Sequence, residues 1–410
     1  MNFREDKANM NTPILPDDVK HILNSLYKNG YEGYIVGGCV RDAIMGIAPH
    51  DWDITTSAKP EEVKKIFSHT FDTGIKHGTV TVVLNKENYE ITTYRIEGEY
   101  EDCRHPKDVS FTTDLHEDLL RRDFTMNAIA YNEKEGYVDI FGGIKDIENK
   151  TIRGVGEAEE RFREDALRML RAVRFSAQLG FDIEEKTKTA LIENCHLIEK
   201  ISRERIREEL VKLLISKHSE KAYLLWQTGL LNNISNEIYE NTVSHEEEIV
   251  ESIGKSVKEP SVLMALLLRY IKQENVKNIM KELRFDTKTL KETEAICKNI
   301  YISTPNDPIS VRKKASEMGV ENLRLLFEAK KALGDEYVFN AEKILNDVIE
   351  KNHCLSIKDM DITGEDLKEI GISQGKMVGQ CLKMLLDYVL ENPDQNKKEI
   401  LIKKAENFIS

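Results

Sequence analysis

Apolar positions along the chain change their period once. The first third is mixed. Helical spacing of apolar residues predicts a helix over Pro16–Asn29, and a β-rich run follows over Tyr31–Val36. Gly37-Gly38 then opens a second helix-like stretch, Val40–Gly46. Asp51–Thr55 reads as a strand end and Glu61–Phe67 as a helix. Thr79–Leu84 (TVTVVL) and Tyr89–Tyr94 (YEITTY) are rich in β-branched and aromatic residues around a polar loop, which predicts a hairpin. From about residue 150 helical periodicity runs to the end, with few strand candidates and scattered prolines. The pattern therefore predicts a compact α/β domain over 1–148 and an all-helical remainder, divided into 149–215, 216–305 and 306–410. Breaks are expected near Asn149-Lys150, Asn232–Asn236 and Thr304–Pro308.

Composition narrows the class. At roughly 100–200 residues per domain, 410 residues imply two to four domains. With 40% hydrophobic and 32% charged residues, a sizeable core is expected and global disorder is excluded. The longest uncharged apolar run, Val262–Leu268, is far short of the roughly 20 residues that span a bilayer, so no membrane partner is expected. The start, MNFREDKANM, lacks the apolar stretch of a secretory signal. Six cysteines are scattered singly with no CxxC pair, which predicts a reducing, cytoplasmic setting. The net charge of −13 argues against general coating of nucleic acid, though not against a local basic face. Nothing in the pattern sets an oligomeric state.

Candidate chemistry concentrates in the first 175 residues. Gly37-Gly38-Cys39-Val40-Arg41-Asp42 takes a strand through two glycines into a helix start. Such a turn either simply joins two elements or brings backbone N–H groups and Arg41 to a phosphate. Asp51-Trp52-Asp53 follows, and residues two apart on a strand share a face. The two carboxylates form either a polar surface turn or a site for a hard cation such as Mg²⁺, which usually keeps substrate phosphates as ligands. Glu90 on the second hairpin strand is either solvated or a third carboxylate brought across the sheet. Three further motifs follow: Arg121–Ala130 (RRDFTMNAIA), Asp139–Ile147 (DIFGGIKDI) and Glu164–Phe175 (EDALRMLRAVRF). On one ideal helix the last places Phe162, Ala166, Met169, Leu170, Val173 and Ala177 on an apolar face. Arg161, Glu164, Asp165, Arg168 and Arg171 fall opposite, and Arg174 on the flank.

These five motifs, in this order, resemble the bacterial class II tRNA nucleotidyltransferase family, from about Gly33 to Leu214 and more weakly to the tail. That family comprises CCA-adding enzymes, their A-adding and CC-adding relatives, and bacterial poly(A) polymerases. The resemblance implies an α+β fold: a polymerase-β-like nucleotidyltransferase head, then a helical neck, body and tail. It implies that Asp51 and Asp53 bind metal, with Glu90 at a third acidic position. Gly37, Gly38 and Arg41 would hold the nucleoside triphosphate. Asp165 and Arg168 would hydrogen-bond the base edge of CTP or ATP, the amino acids acting as template. Asp accepts from the exocyclic amine that C and A share, and Arg donates to a ring nitrogen or carbonyl. Arg122, Arg171 and Arg174 would contact the nucleotide further, with Asp123 and Asn127 as ribose or loop anchors. The expected reaction is addition of C, C and A to the tRNA acceptor arm, with Mg²⁺, releasing pyrophosphate.

Three features bear on which member this is. The charged stretch Arg95–Phe111 resembles the loop that CCA-adding enzymes use when switching from CTP to ATP, and disfavours CC-only activity. An A-adding enzyme remains the alternative. A poly(A) polymerase is disfavoured because neither end is strongly basic, and a non-catalytic RNA-binding relative because the paired carboxylates are intact. Scattered histidines show no metal-ligand spacing, so no second hydrolase activity is expected. Residues 121–215 hold 18 Lys+Arg against 19 Asp+Glu, so any tRNA face must be sorted by folding. Arg203, Arg205, Arg207 and Lys212 are candidates for it, as is the Gly371–Gly379 segment.

Overall fold

In the computed structural model, residues 12–74, 78–98, 109–372 and 375–407 are described. They form two compact units that divide between Glu246 and Glu247, inside the stretch the sequence assigns to a body.

The first unit is built on a mixed seven-stranded sheet. Helix α1 (Asp17–Lys28) precedes strand β1 (Gly33–Val36), helix α2 (Gly38–Ile44), β2 (Ile54–Thr56) and α3 (Pro60–Ile66). Strands β3 (Thr70–Gly74), β4 (Thr79–Leu84) and β5 (Glu87–Thr93) follow, then the short pair β6 (Arg95–Glu97) and β7 (Val109–Phe111). Helix α4 (Leu115–Leu120) leads to β8 (Ala130–Asn132) and β9 (Gly136–Val138). The strand order is β3-β4-β5-β2-β1-β8-β9. The hairpin read from the sequence is present: β4 and β5 pair antiparallel from Thr79↔Thr92 to Leu84↔Glu87. Its two loop residues, Asn85 and Lys86, both have positive φ (50° and 72°), as the tight turn that matches strand twist requires. Strands β3, β8 and β9 carry little local signal because they are short and lack clean alternation. The loop Arg95–Phe111 is described only at its paired ends, and residues 99–108 lie outside the described residues.

Alternation sorts the sheet's two faces. Ile35, Ile54 and Ile91 are fully buried on one, where Leu23 and Leu26 of α1 close over Gly33. The other carries Tyr34, Val36 and Tyr94 under Leu115 and Leu119 of α4, with Ala128, Ala130 and Val155. Burying one large apolar side chain contributes about 1.5–3 kcal/mol, so both layers are strongly specified.

After α5 (Gly143–Glu148) come α6 (Ala158–Glu164) and α7 (Leu167–Leu179). The single helix expected through Phe162–Ala177 is not formed. Asp165 is extended, with φ −136° and ψ 102°, and ends α6. The expected apolar face is buried all the same, with Phe162, Ala166, Met169, Leu170, Val173 and Ala177 at 0% exposure. Of the expected polar face Arg161 and Arg168 are buried, and so is the flanking Arg174. Helices α8 (Glu185–Asn194) and α9 (Arg203–Leu214) complete the layer, α9 against α7 and α8 against α6.

The second unit is all-helical. Its helix Pro260–Leu268 is buried along its whole length from Ser261 to Leu268, as an all-apolar helix must be. It packs between the helices Thr287–Asn299 and Val320–Ala332. A separate core gathers Leu367, Cys381, Leu385, Val389 and Leu401 around the helix Gly375–Glu391. The Gly371–Gly379 segment is only partly covered, because residues 373–374 lie outside the described residues. Among the described residues no helix is long and apolar enough to cross a membrane.

Candidate active site

The acidic pair sits where three strands meet. Strand β1 ends at Val36, whose N–H donates to the Asp53 carbonyl at 3.0 Å. Strands β2 and β5 run parallel with Ile54 beside Ile91. Asp53 and Glu90, one residue earlier on each, therefore share the face opposite the buried isoleucines. Asp51 and Asp53 precede β2 rather than lying in it. Two clefts meet at them. One, of about 780 Å³, is lined by Asp51, Asp53, Glu90, Trp52, Phe71 and Tyr89 among others. The other, of about 760 Å³, is lined by Asp51 and Asp53 with Gly37, Gly38, Arg41, Arg122, Asp123, Asn127, Asp165, Arg168, Arg171 and Arg174. Every nucleotide-binding residue expected from the sequence lines this second cleft.

Its cations are held by buried acids. Gly37 has φ 81°, which an L side chain rarely adopts. A Cβ there would lie 3.3 Å from Arg122 Nη1 and 4.0 Å from Asp53 Oδ2, so its absence lets the arginine and the carboxylate converge. Arg41 donates to Asn127 Oδ1 at 2.8 Å and to Asp42 Oδ1 at 2.7 and 2.9 Å. Asn127 in turn donates to Asp123 Oδ1 at 3.0 Å, and Arg171 donates to Asp123 Oδ2 at 2.7 and 3.0 Å. Burial pushes the Asp123 carboxyl up, but Arg171 and Asn127 outweigh it and hold it at about 2. Asp123 is thus an anchor for Arg171 and Asn127. Phe175 is the apolar counterpart: the guanidinium of Arg174 lies 3.5 Å from its ring centre, those of Arg41 and Arg171 5.2 Å.

At Asp53, desolvation between the two clefts pushes the carboxyl up; Arg122 opposes this and Asp51 adds to it. Among the described residues neither Asp51 nor Asp53 has a hydrogen-bond or ion-pair partner for its carboxylate. Two carboxylates with no ion-pair partner, Arg122 acting on Asp53 from beyond ion-pair distance, suit a hard divalent metal. No group of three or more His, Cys, Asp or Glu side chains able to hold a metal occurs among the described residues, so Glu90 does not join the pair in a tight cluster.

Asp165 and Arg168 both face the second cleft, each with a protein partner. Asp165 accepts from Arg205 Nη2 at 2.8 Å and Nη1 at 3.3 Å, and from the Leu167 N–H at 3.1 Å. Arg168 donates to Glu164 Oε2 at 2.5 Å and to the carbonyls of Arg121 and Arg161. Arg205 and Lys212, expected as candidates for an RNA-facing surface, line this cleft. The break after α6 puts Asp165 within reach of Arg205, which a continuous helix would not require. Two supporting acids were not read from the sequence. Asp118, fully buried, holds Arg121 and Arg122, and its only sequence signal was the i, i+3 and i, i+4 spacing. Glu209, 35 residues from Arg174, accepts from it at 2.8 Å and gave no local signal.

Known proteins match along the whole length. Residues 33–153 match a Poly A polymerase head domain, 180–240 a "Probable RNA and SrmB- binding site of polymerase A", and 256–405 a domain 2 model of tRNA nucleotidyltransferases. The chain is 37% identical to a CCA-adding enzyme of Ligilactobacillus salivarius over 96% of its own length and 98% of that protein's. It is 54% identical to one from Lactobacillus delbrueckii subsp. bulgaricus over 202 residues, 49% of this chain and 51% of that one. The crystal structure of the Bacillus stearothermophilus CCA-adding enzyme in complex with CTP superposes with a TM-score of 0.81 at 32% identity, covering 96% of this chain and 99% of that one. The sheet head, the arginine-lined cleft and these likenesses agree: the chain belongs to the CCA-adding enzyme family and is a nucleotidyltransferase.

Proposed function

We propose that this protein adds C, C and A in turn to the 3′ end of tRNA, using CTP and ATP and releasing pyrophosphate, in the cytoplasm. The supporting observation is the meeting of two clefts at Asp51 and Asp53, one lined by arginines and the other, among the described residues, not. The arginine cleft suits a triphosphate, and the other leaves room for the RNA terminus beside the same carboxylates. Dependence on a divalent metal comes with the nucleotidyltransferase family. We assign Mg²⁺, with Asp51 and Asp53 as its protein ligands. When bound, it lowers the pKa of the attacking hydroxyl and neutralises charge on the leaving pyrophosphate. The chain's own residues position and select. Arg41, Arg122, Arg171 and Arg174 offset the phosphate charge from a preorganised network. Asp165 accepts from the exocyclic amine of C or A while Arg168 donates to the ring edge. U and G offer the wrong pattern and leave buried groups unpaired, which is costly.

The test is incorporation of labelled CTP and ATP with Mg²⁺ into three tRNAs, ending before CCA, after C and after CC. Addition of three nucleotides to the shortest is expected. Activity with ATP alone, on the tRNA ending in CC, would make this an A-adding enzyme. Replacing Asp51 or Asp53 by Ala should abolish incorporation while tRNA binding stays nearly intact. Retained turnover would overturn the metal assignment.

A further inference from the structure

One buried carboxylate that the reaction does not touch ties the two halves of this site together. Asp118, on α4, has no exposed surface, and its carboxylate serves three neighbours. Oδ1 accepts from Arg121 Nε at 3.0 Å and Nη2 at 2.7 Å. Oδ2 accepts from Arg122 Nη2 at 3.2 Å and from Thr55 Oγ1 at 3.1 Å. Thr55 lies two residues after Asp53 on β2, and its hydroxyl also reaches the Thr92 carbonyl of β5 at 3.2 Å, two residues after Glu90. Among the described residues Asp118 is the only side-chain hydrogen-bond or ion-pair partner of Arg122. Among the described residues the Nε of Arg122 is buried without a hydrogen-bond partner, so Asp118 supplies the side-chain hydrogen bond that orients it. Arg122 is also the cation acting on Asp53.

We propose that Asp118 is a positioning residue for nucleotide binding: it aims Arg122 at the triphosphate beside Asp53 and registers that arginine to the catalytic strand through Thr55. The proposal rests on the nucleotidyl-transfer reading above and adds to it the residue that sets the arginine. Its ionised state fits the role. Burial pushes the Asp118 carboxyl up, but Arg121 and Arg122 outweigh it and hold it below the usual carboxylate range.

Asp118→Asn keeps the shape but turns an N–H toward a guanidinium. The expected result is a rise in KM for CTP and ATP of tenfold or more, with KM for tRNA unchanged. CTP binding in EDTA, followed by calorimetry, should weaken by a similar factor. Asp118→Glu should restore part of it. Arg122→Gln should produce the same loss, and the double variant should be no worse than either single one, because both changes remove one interaction. Multiplied effects in the double variant, or a lowered Tm with unchanged nucleotide KM, would make Asp118 merely structural and overturn the proposal. If Asp118→Asn does not fold, Thr55→Val, nearly isosteric, should still raise nucleotide KM a few-fold; no change there also overturns it. Wild type is assayed alongside. If it adds no nucleotide to tRNA, the functional reading fails; if it does and the variants match it, only the Asp118 inference fails.

Discussion

At the scale of single residues, the site is a set of arginines whose direction is imposed by acids beneath them. Gly37 shows how little room is left. Its φ of 81° and the 3.3 Å separation between a would-be Cβ and Arg122 make two independent penalties for any side chain. Gly37→Ala should destabilise the protein by about 1–3 kcal/mol and weaken CTP binding at least tenfold, read by urea melts and calorimetry. Unchanged CTP binding would mean that the turn does not shape the nucleotide cleft. Asp123 makes a pH prediction. Its folded pKa of about 2 lies below its ordinary value of 3.8. Its stabilisation is therefore complete above pH 3.8 and is lost as pH falls through about 2. The contribution is about 2 kcal/mol. Asp123→Asn should lose stability at neutral pH and show a correspondingly smaller drop between pH 4 and pH 2. Identical pH profiles for the two proteins would refute the pairing with Arg171.

At the scale of elements, local signals succeeded where one element supplied its own pattern. The β4–β5 hairpin was legible because alternating β-branched residues bracket two polar loop residues. Its turn also carries a correctable strain: Lys86 sits at φ 72° without being glycine. Lys86→Gly should stabilise the protein by roughly 0.5–1 kcal/mol, since the turn favours Asn-Gly. A lower midpoint in chemical denaturation would show the turn residue to be engaged elsewhere. The α6–α7 region shows the opposite case. Its apolar period runs on across the break, so nothing in the spacing marks Asp165 as extended. The interruption becomes intelligible only with Arg205, on α9, bonded to that carboxylate at 2.8 Å. Arg174 likewise lies on the flank of the helical projection, yet it is buried because Glu209 of the same distant helix meets it.

At the scale of the whole molecule, the net charge of −13 and a role on tRNA are reconciled by sorting. Arg41, Arg122, Arg168, Arg171, Arg174, Arg205 and Lys212 come from distant stretches of chain and line one cleft. Much of this positive charge is internally balanced by Asp118, Asp123, Asp165 and Glu209. Within this cleft few cations are then left unpaired to displace counterions from RNA. Binding of tRNA should weaken with salt, with a log–log slope corresponding to only a few phosphate contacts. Filter binding between 50 and about 200 mM salt tests this. A flat response would place recognition on uncharged contacts.

Residue type and short spacing were enough to name the family, and they also named the acids and arginines that the fold gathers at two adjoining clefts. The sequence by itself also determined the helical second half, whose period of apolar residues is a property of each helix alone. How those side chains are held follows from packing between elements. Asp123 under Arg171, Glu209 under Arg174 and Arg205 on Asp165 are contacts between distant stretches of chain, whereas Asp118 under Arg122 is local in sequence and only its burial is tertiary. A buried ion pair leaves no period in the sequence, since either partner alone reads as an ordinary solvated charge. Burial turns the pair into an obligation, because removing one partner strands the other away from water.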